Sequence, residues 1–164
     1  MYGYHGRILR VDLDAMVLDH MPLGEADLRS FIGGATLAAL LIYPYVKRGM
    51  DPLAPSSPLV FAVGPLTLTP IPMVSRYAVA GISPLTGWWG EATSGGDFPF
   101  RLKGSGYDGI IVTGRAKSPV YLFLNDGEAS LRDASHLWGK SAYETQQVIR
   151  EELGIKGLGM AVVG

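Results

Sequence analysis

The sequence predicts an α+β fold built mainly on antiparallel β-sheet. Three observations carry that prediction. Short apolar or alternating segments follow one another along the chain with turn residues between them, as in sheets whose strands are neighbours in sequence. Only two stretches show helical spacing. At 164 residues, with 48% hydrophobic and 18% charged residues, the chain has enough apolar material for a core and the length of one domain.

The elements follow in order. "GRILRVDLD" (6–14) alternates, with Ile8, Arg10, Asp12 and Asp14 on one side and Arg7, Leu9, Val11 and Leu13 on the other. Period two predicts a strand with one wet face, and "MVLDHMPL" is its expected hairpin partner. From Glu25 to Tyr43, Leu28, Phe31, Ile32, Ala35, Ala38, Ala39 and Ile42 fall at helical spacing. Gly33 and Gly34 interrupt that run at about 1 kcal/mol each relative to alanine. Either another backbone packs closely there or the helix begins only after them; Pro44 ends it. "DPLAPSSP" is a loop. "LVFAVGPLT", "RYAVAGISPLTG", "YDGIIVTGRA", "VYLFLND" and "EASLRDA" read as strands, with "NDG" as a hairpin turn. "SAYETQQVIREELG" reads as a helix opened by a Ser141/Glu144 capping box, with Val148, Ile149 and Leu153 as its apolar face and Gly154 at its C-terminal cap. "GLGMAVVG" opens a further apolar run at the end of the sequence, the pattern of a domain cut from a longer chain.

Composition narrows the chemistry. The chain has no cysteine, which excludes disulfides, thiolate zinc sites, a thiol nucleophile and an iron–sulfur cluster held by this chain's thiolates alone. This fits a cytoplasmic protein. A net charge of −1 gives no electrostatic reason to expect nucleic acid or an anionic membrane. The longest apolar stretch, Phe31 to Val46, is broken by glycines and a proline and falls short of the roughly 20 residues of a membrane span. No signal-peptide pattern is visible at the N-terminus.

"GSGYDG" (104–109) matches G-x-G-x-x-G, but a strand follows it where a dinucleotide fold needs a helix; a turn entering a strand is the better reading. His5, His20 and His136 are scattered without metal-ligand spacing. Asp12 and Asp14 read as solvated. Ser94 lacks a G-x-S-x-G frame, and Trp88–Trp89 fits a core or an interface at least as well as a stacking platform. Two features remain. Arg76 stands at the mouth of an apolar strand, either as a surface residue or as a fork of donors for an anion. "TSGG" (Thr93, Ser94, Gly95, Gly96) is either a plain turn or a place where bare backbone N–H groups and two hydroxyls meet phosphate or Mg²⁺.

Taken together, "GRILRVDLD", "FIGGATLAALLIY", "LVFAVGPLT", "SRYAVAGISPLTG", "SGG", "LKGSGYDGIIVTGRAKSPVYLFLNDG", "LRDASHLWGK" and "ETQQVIREELG" make the chain resemble, over essentially its whole length, the N-terminal domain of the tungsten-containing aldehyde:ferredoxin oxidoreductases. The resemblance implies two β-sheets forming a base for a tungsten bis-pterin cofactor, with molybdenum as the alternative metal. It implies that Arg76 contacts the pterin, and that Thr93 and Gly95 lie along the pterin phosphates and their bridging Mg²⁺, with Ser94 and Gly96 in the same cradle. The family usually has asparagine where this chain has Thr93, whose hydroxyl reaches less far toward a metal, and Gly-Pro-Glu where this chain has Pro99-Phe100-Arg101. A 4Fe-4S cluster, the catalytic residues and a second pterin-binding segment belong to later domains of the family. The implied reaction takes an aldehyde to a carboxylic acid and passes electrons through the cluster to ferredoxin. The remaining domains of the enzyme and a second copy in a homodimer are the other expected partners. The competing reading is a non-catalytic scaffold or dimerisation domain that keeps the fold without cofactor.

Overall fold

The computed structural model describes residues 2–163. A six-stranded sheet forms its centre, in the order β2-β1-β6-β3-β4-β5. The strands are β1 (Arg7–Asp12), β2 (Val17–Pro22), β3 (Leu59–Val63), β4 (Tyr77–Ile82), β5 (Trp89–Ser94) and β6 (Gly109–Thr113). All neighbours are antiparallel except β1 and β6, which run parallel. A separate hairpin pairs β7 (Val120–Asn125) with β8 (Glu128–Asp133). Four helices complete the fold among the described residues: α1 (Glu25–Phe31), α2 (Gly34–Ile42), α3 (Asp97–Gly104) and α4 (Ala142–Leu153). The α+β, mainly antiparallel class expected from the sequence is the one observed.

Both faces of the large sheet are covered over its central strands. On one, Leu37, Ala38, Leu41 and Ile42 of α2 pack on Ile8, Val60, Ala62, Ala80 and Ile111. On the other, Leu9, Val11, Val63 and Ile110 meet Leu102 of α3, Tyr107 and the apolar residues of the β7–β8 hairpin. Each fully buried leucine or isoleucine contributes about 1.5–3 kcal/mol. The wet face expected for β1 is therefore wet only in part: Arg10 is exposed, but Ile8, on the same side, is wholly buried under α2. The alternation is real, but the apolar helix α2 covers the Ile8 end of that side.

Residues 25–43 form two helices. α1 ends at Ile32, whose φ of 49° is left-handed, and α2 starts after Gly33. A Cβ on Gly33 would lie 2.8 Å from both the Gly64 Cα and the Val63 carbonyl oxygen. The close approach of another backbone is thus the reading that holds; the helix does not begin only after the glycines but breaks at Ile32–Gly33, with α1 before them and α2 from Gly34. α4 has the predicted capping box, with both reciprocal bonds present, and Gly154 caps its end with φ 62°. The Ser141 hydroxyl, and then its backbone N–H, hold the Glu144 carboxyl below the ordinary glutamate value. α4 packs through Ile149 on Ala134 and Leu137, with Leu158 and Met160 of the final apolar run against the same cluster.

Three sequence readings are corrected. "RYAVAGISPLTG" leaves the sheet after Ile82, and residues 83–88 are a turn closed by Ser83 N–H to Trp88 O at 2.8 Å. "LVFAVGPLT" likewise stops at Val63. The stretch after "TSGG", outside the two stretches with helical spacing, is α3. Asp97 in its first turn and Arg101 and Lys103 in its last complement the helix dipole, and Pro99 is tolerated in the first turn, where its missing N–H has no intrahelical partner.

Candidate cofactor cradle at the end of the β4–β5 ladder

The residues singled out by sequence converge at one end of the sheet. β4 and β5 pair with Tyr77 opposite Ser94 and Ala78 opposite Thr93. Continuing that register sets Arg76 against Gly95 and Ser75 against Gly96. Contacts past the strand ends follow it: the Ser75 hydroxyl donates to the Gly96 carbonyl at 3.0 Å, and a Cβ on Gly95 would stand 3.2 Å from the Ser75 carbonyl oxygen. Arg76 and "TSGG", well separated in sequence, are thus neighbours across one ladder.

The two hydroxyls separate. Residues directly opposite in an antiparallel pair share a face. Thr93 therefore lies on the side of Ala78, and alternation carries Arg76 to the same side. Ser94 lies on the side of Tyr77, whose ring packs on Phe98 of α3 with centroids 4.9 Å apart. Arg76, Thr93 and Gly95 share one face, while Ser94 lies on the side of the Tyr77–Phe98 pair.

That surface is open and polar in a particular way. Arg76, Thr93 and Gly96 are exposed, and so is Ser94 on the other face of the ladder. Among the described residues the Arg76 guanidinium makes no ion pair and the Thr93 hydroxyl no hydrogen bond. Gly96 has φ 85° and ψ −154°, and an added Cβ would meet nothing within 4 Å. It is the N-cap of α3 and offers no side chain to the first-turn N–H groups, which are left as donors. A free guanidinium, a free hydroxyl and uncapped helix donors suit an extended anion such as a phosphorylated organic cofactor. Among the described residues no group of three or more His, Cys, Asp or Glu is placed to hold a metal ion. The fit is to the anionic periphery of a cofactor and not to a bare metal held by side chains.

Two contributors escaped the sequence reading: Ser75, which ties the loop before β4 to the cradle, and α3, which starts inside it. The signal for α3 was present in Asp97, Pro99 and the late basic residues. The remaining candidates have structural partners. His20 stacks on Tyr107 at 5.7 Å, His136 pairs with Glu152 at 3.0 Å, and the His5 backbone N–H donates to Asp108. Asp12 caps the β1–β2 turn through the N–H groups of Asp14 and Ala15. "GSGYDG" is the turn from α3 into β6. Trp88 is 78% exposed and lies in no core cluster.

Comparison with known proteins gives this geometry its context. Residues 8–164 match the family described as aldehyde ferredoxin oxidoreductase, N-terminal domain. The chain is 41% identical over 164 residues to the tungsten-containing aldehyde ferredoxin oxidoreductase of Pyrococcus furiosus, covering 100% of this chain and 27% of that protein. It is 33% identical over 156 residues to the WOR-like subunit of an aliphatic sulfonate oxidoreductase from the same organism, covering 93% of this chain and 25% of that one. Among solved structures it resembles the active-site complex BamBC of benzoyl coenzyme A reductase in complex with 1,5-dienoyl-CoA. The TM-score is 0.90 and the identity 35%, over 93% of this chain and 23% of the other. The chain thus spans about a quarter of the length of the relatives it matches. It belongs to the aldehyde ferredoxin oxidoreductase family, as the N-terminal domain.

Proposed function

We propose that this chain is the cofactor-seating domain of a tungsten or molybdenum bis-pterin oxidoreductase that takes aldehydes to carboxylic acids. The observation that carries this reading is the cross-ladder convergence of an unpaired Arg76 with Thr93, Gly95 and Gly96 at the uncapped start of α3. In this reading Arg76 donates to an anionic edge of the pterin, and the N–H groups at Gly96 and the first turn of α3 face its phosphates. Ser94 supports the ladder from the opposite face. Thr93 would offer a single hydroxyl oxygen to a Mg²⁺ at those phosphates. When bound, the cofactor supplies the two-electron oxidation of aldehyde and water to acid.

A 4Fe-4S cluster would be ligated outside this cysteine-free chain, and ferredoxin would receive the electrons in the cytoplasm. No described helix is long and apolar enough to cross a membrane. The names of the relatives cover an aldehyde, an aliphatic sulfonate and benzoyl-CoA, so this domain is read as the seat of the cofactor and the substrate as the choice of other domains.

A second reading, a scaffold or dimerisation domain without cofactor, draws on the apolar side chains left bare at the two ends of the β4–β5 ladder. Met73, before β4, is 97% exposed and Leu85, in the turn after it, 93%, and such surfaces usually meet a partner. Anaerobic expression of the full-length protein, followed by metal analysis, separates the two. About one tungsten or molybdenum with about four irons per chain is expected. A folded, iron-loaded protein with neither metal selects the scaffold.

A further inference from the structure

One buried ion pair has no part in the cradle as described. Lys103, in the last turn of α3, donates from Nζ to Asp108. Lys103 is 3% exposed and Asp108 fully buried. The same carboxylate accepts the backbone N–H of Gly6 at 2.7 Å and of His5 at 3.3 Å. The backbone of Asp108 accepts from Val63 N–H at 3.0 Å and donates to Arg7 O at 2.8 Å. The Lys103 ammonium also lies 5.3 Å from the centre of the Tyr4 ring. Burial, and then the Asp108 charge, push the Tyr4 phenol above its ordinary value. One side chain therefore joins the end of α3 to the segment entering β1, and its backbone joins both to the end of β3.

Stability alone is a poor reason to bury such a pair. Two charges lose their hydration, and apolar replacements of similar volume are often neutral or better. What a buried pair supplies that a greasy contact does not is a fixed position, because the ammonium and carboxylate meet in one register only. α3 is eight residues long, and its other end is the cradle. We propose that Lys103 and Asp108 are positioning residues for the cofactor: they set where α3 lies along its axis, and so where Gly96 and the first-turn N–H groups stand relative to Arg76. The proposal rests on the cradle reading above.

The test uses the full-length protein and the double variant Lys103→Met/Asp108→Asn, which removes both charges while the new amide oxygen still accepts from Gly6; the His5 N–H, bound to the other carboxylate oxygen, loses its acceptor. Leu37→Ala, on the opposite face of the sheet, is the control for lost stability. The double variant is expected to unfold no earlier than the control. Yet its Arg101 and Leu102 amides should exchange at least tenfold faster than wild type, and its tungsten or molybdenum content should fall below half. The control should keep both. Wild-type exchange and wild-type metal content in the double variant overturn the proposal. A wild-type protein without either metal overturns the cradle reading alone, and the exchange of α3 still decides for or against the clamp. The unmutated protein gives a second check. Because one carboxylate holds both, the Gly6 and Leu102 amides should open together in native-state exchange. Distinct opening free energies overturn the clamp even if the double variant does not fold.

Discussion

The Ser75 hydroxyl reaches across the end of the β4–β5 ladder to the Gly96 carbonyl, 3.0 Å away. This bond extends the strand register two residues beyond the last paired positions. It fixes Gly96 in a conformation, φ 85° and ψ −154°, that only glycine adopts without strain. Space is not the constraint there, because an added methyl at Gly96 would touch nothing. The position is restricted by backbone conformation alone.

Gly96→Ala should therefore destabilise the domain by about 1–3 kcal/mol through strain alone. Gly104→Ala, at the end of α3 and also with open space at its Cβ but without a positive φ, should be neutral or stabilising by up to about 1 kcal/mol. Thermal or denaturant unfolding of the two variants checks this. Equal midpoints would mean that the cradle backbone relaxes freely.

Arg76→Ala should separate binding from folding. The side chain is exposed and, among the described residues, forms no ion pair, so stability should change by less than about 0.5 kcal/mol. A charge-assisted contact to the cofactor is worth about 1.5–3 kcal/mol, or roughly a tenfold to hundredfold loss in its retention. Metal content after extended dialysis reads this directly. Full retention would make Arg76 a surface residue.

Much of this is legible in the sequence alone. Strands with strong local patterns, such as "RILRVD" and "YLFLN", and the capped helix α4 announce themselves through periodicity and cap residues. Arg76 and "TSGG" are legible as residues of the right chemistry. Their adjacency is not, because it arises from the β4–β5 register, and β5 has little strand signal of its own: "WGEATS" contains a glycine and is almost wholly exposed. α3 is hidden by its own proline, which reads as a breaker unless it is placed in the first turn. The clamp is invisible, since Lys103 and Asp108 look like ordinary surface residues on either side of a glycine-rich turn until both are found buried.

Gly33 illustrates a long-range constraint written as a local oddity. Its φ of 166° is extended, so no conformational strain forbids a side chain. The obstacle is the Gly64 backbone 2.8 Å from an added Cβ, and backbone cannot swing aside as a side chain does. Gly33→Ala should cost about 1–3 kcal/mol by overpacking and loosen α2 against β3. A loss well under about 1 kcal/mol in denaturant unfolding would show that the two backbones separate easily.

Acid should loosen the α4 side of the domain. The Glu144 carboxyl is held low by the Ser141 hydroxyl and backbone N–H, and that of Asp133 by the Ser135 hydroxyl just before the same cluster. A carboxyl whose folded value is depressed contributes stability that is present above its unfolded value and is lost as pH falls through the folded one. The window therefore opens near the ordinary carboxylate range of about 3.9–4.3 and extends below it. Both groups are exposed, so the effect should be small and local. Amide protection at the start of α4 should decline below about pH 4, while the large sheet keeps its own except along β2, where the His20 N–H and then Arg10 hold the Asp19 carboxyl low in the same way. Glu144→Gln should flatten that decline, because its amide can still receive the bond from Ser141 but does not titrate. A decline of the same size in Glu144→Gln would assign the acid sensitivity to Asp133 or to the sheet, and would remove the capping box as its cause.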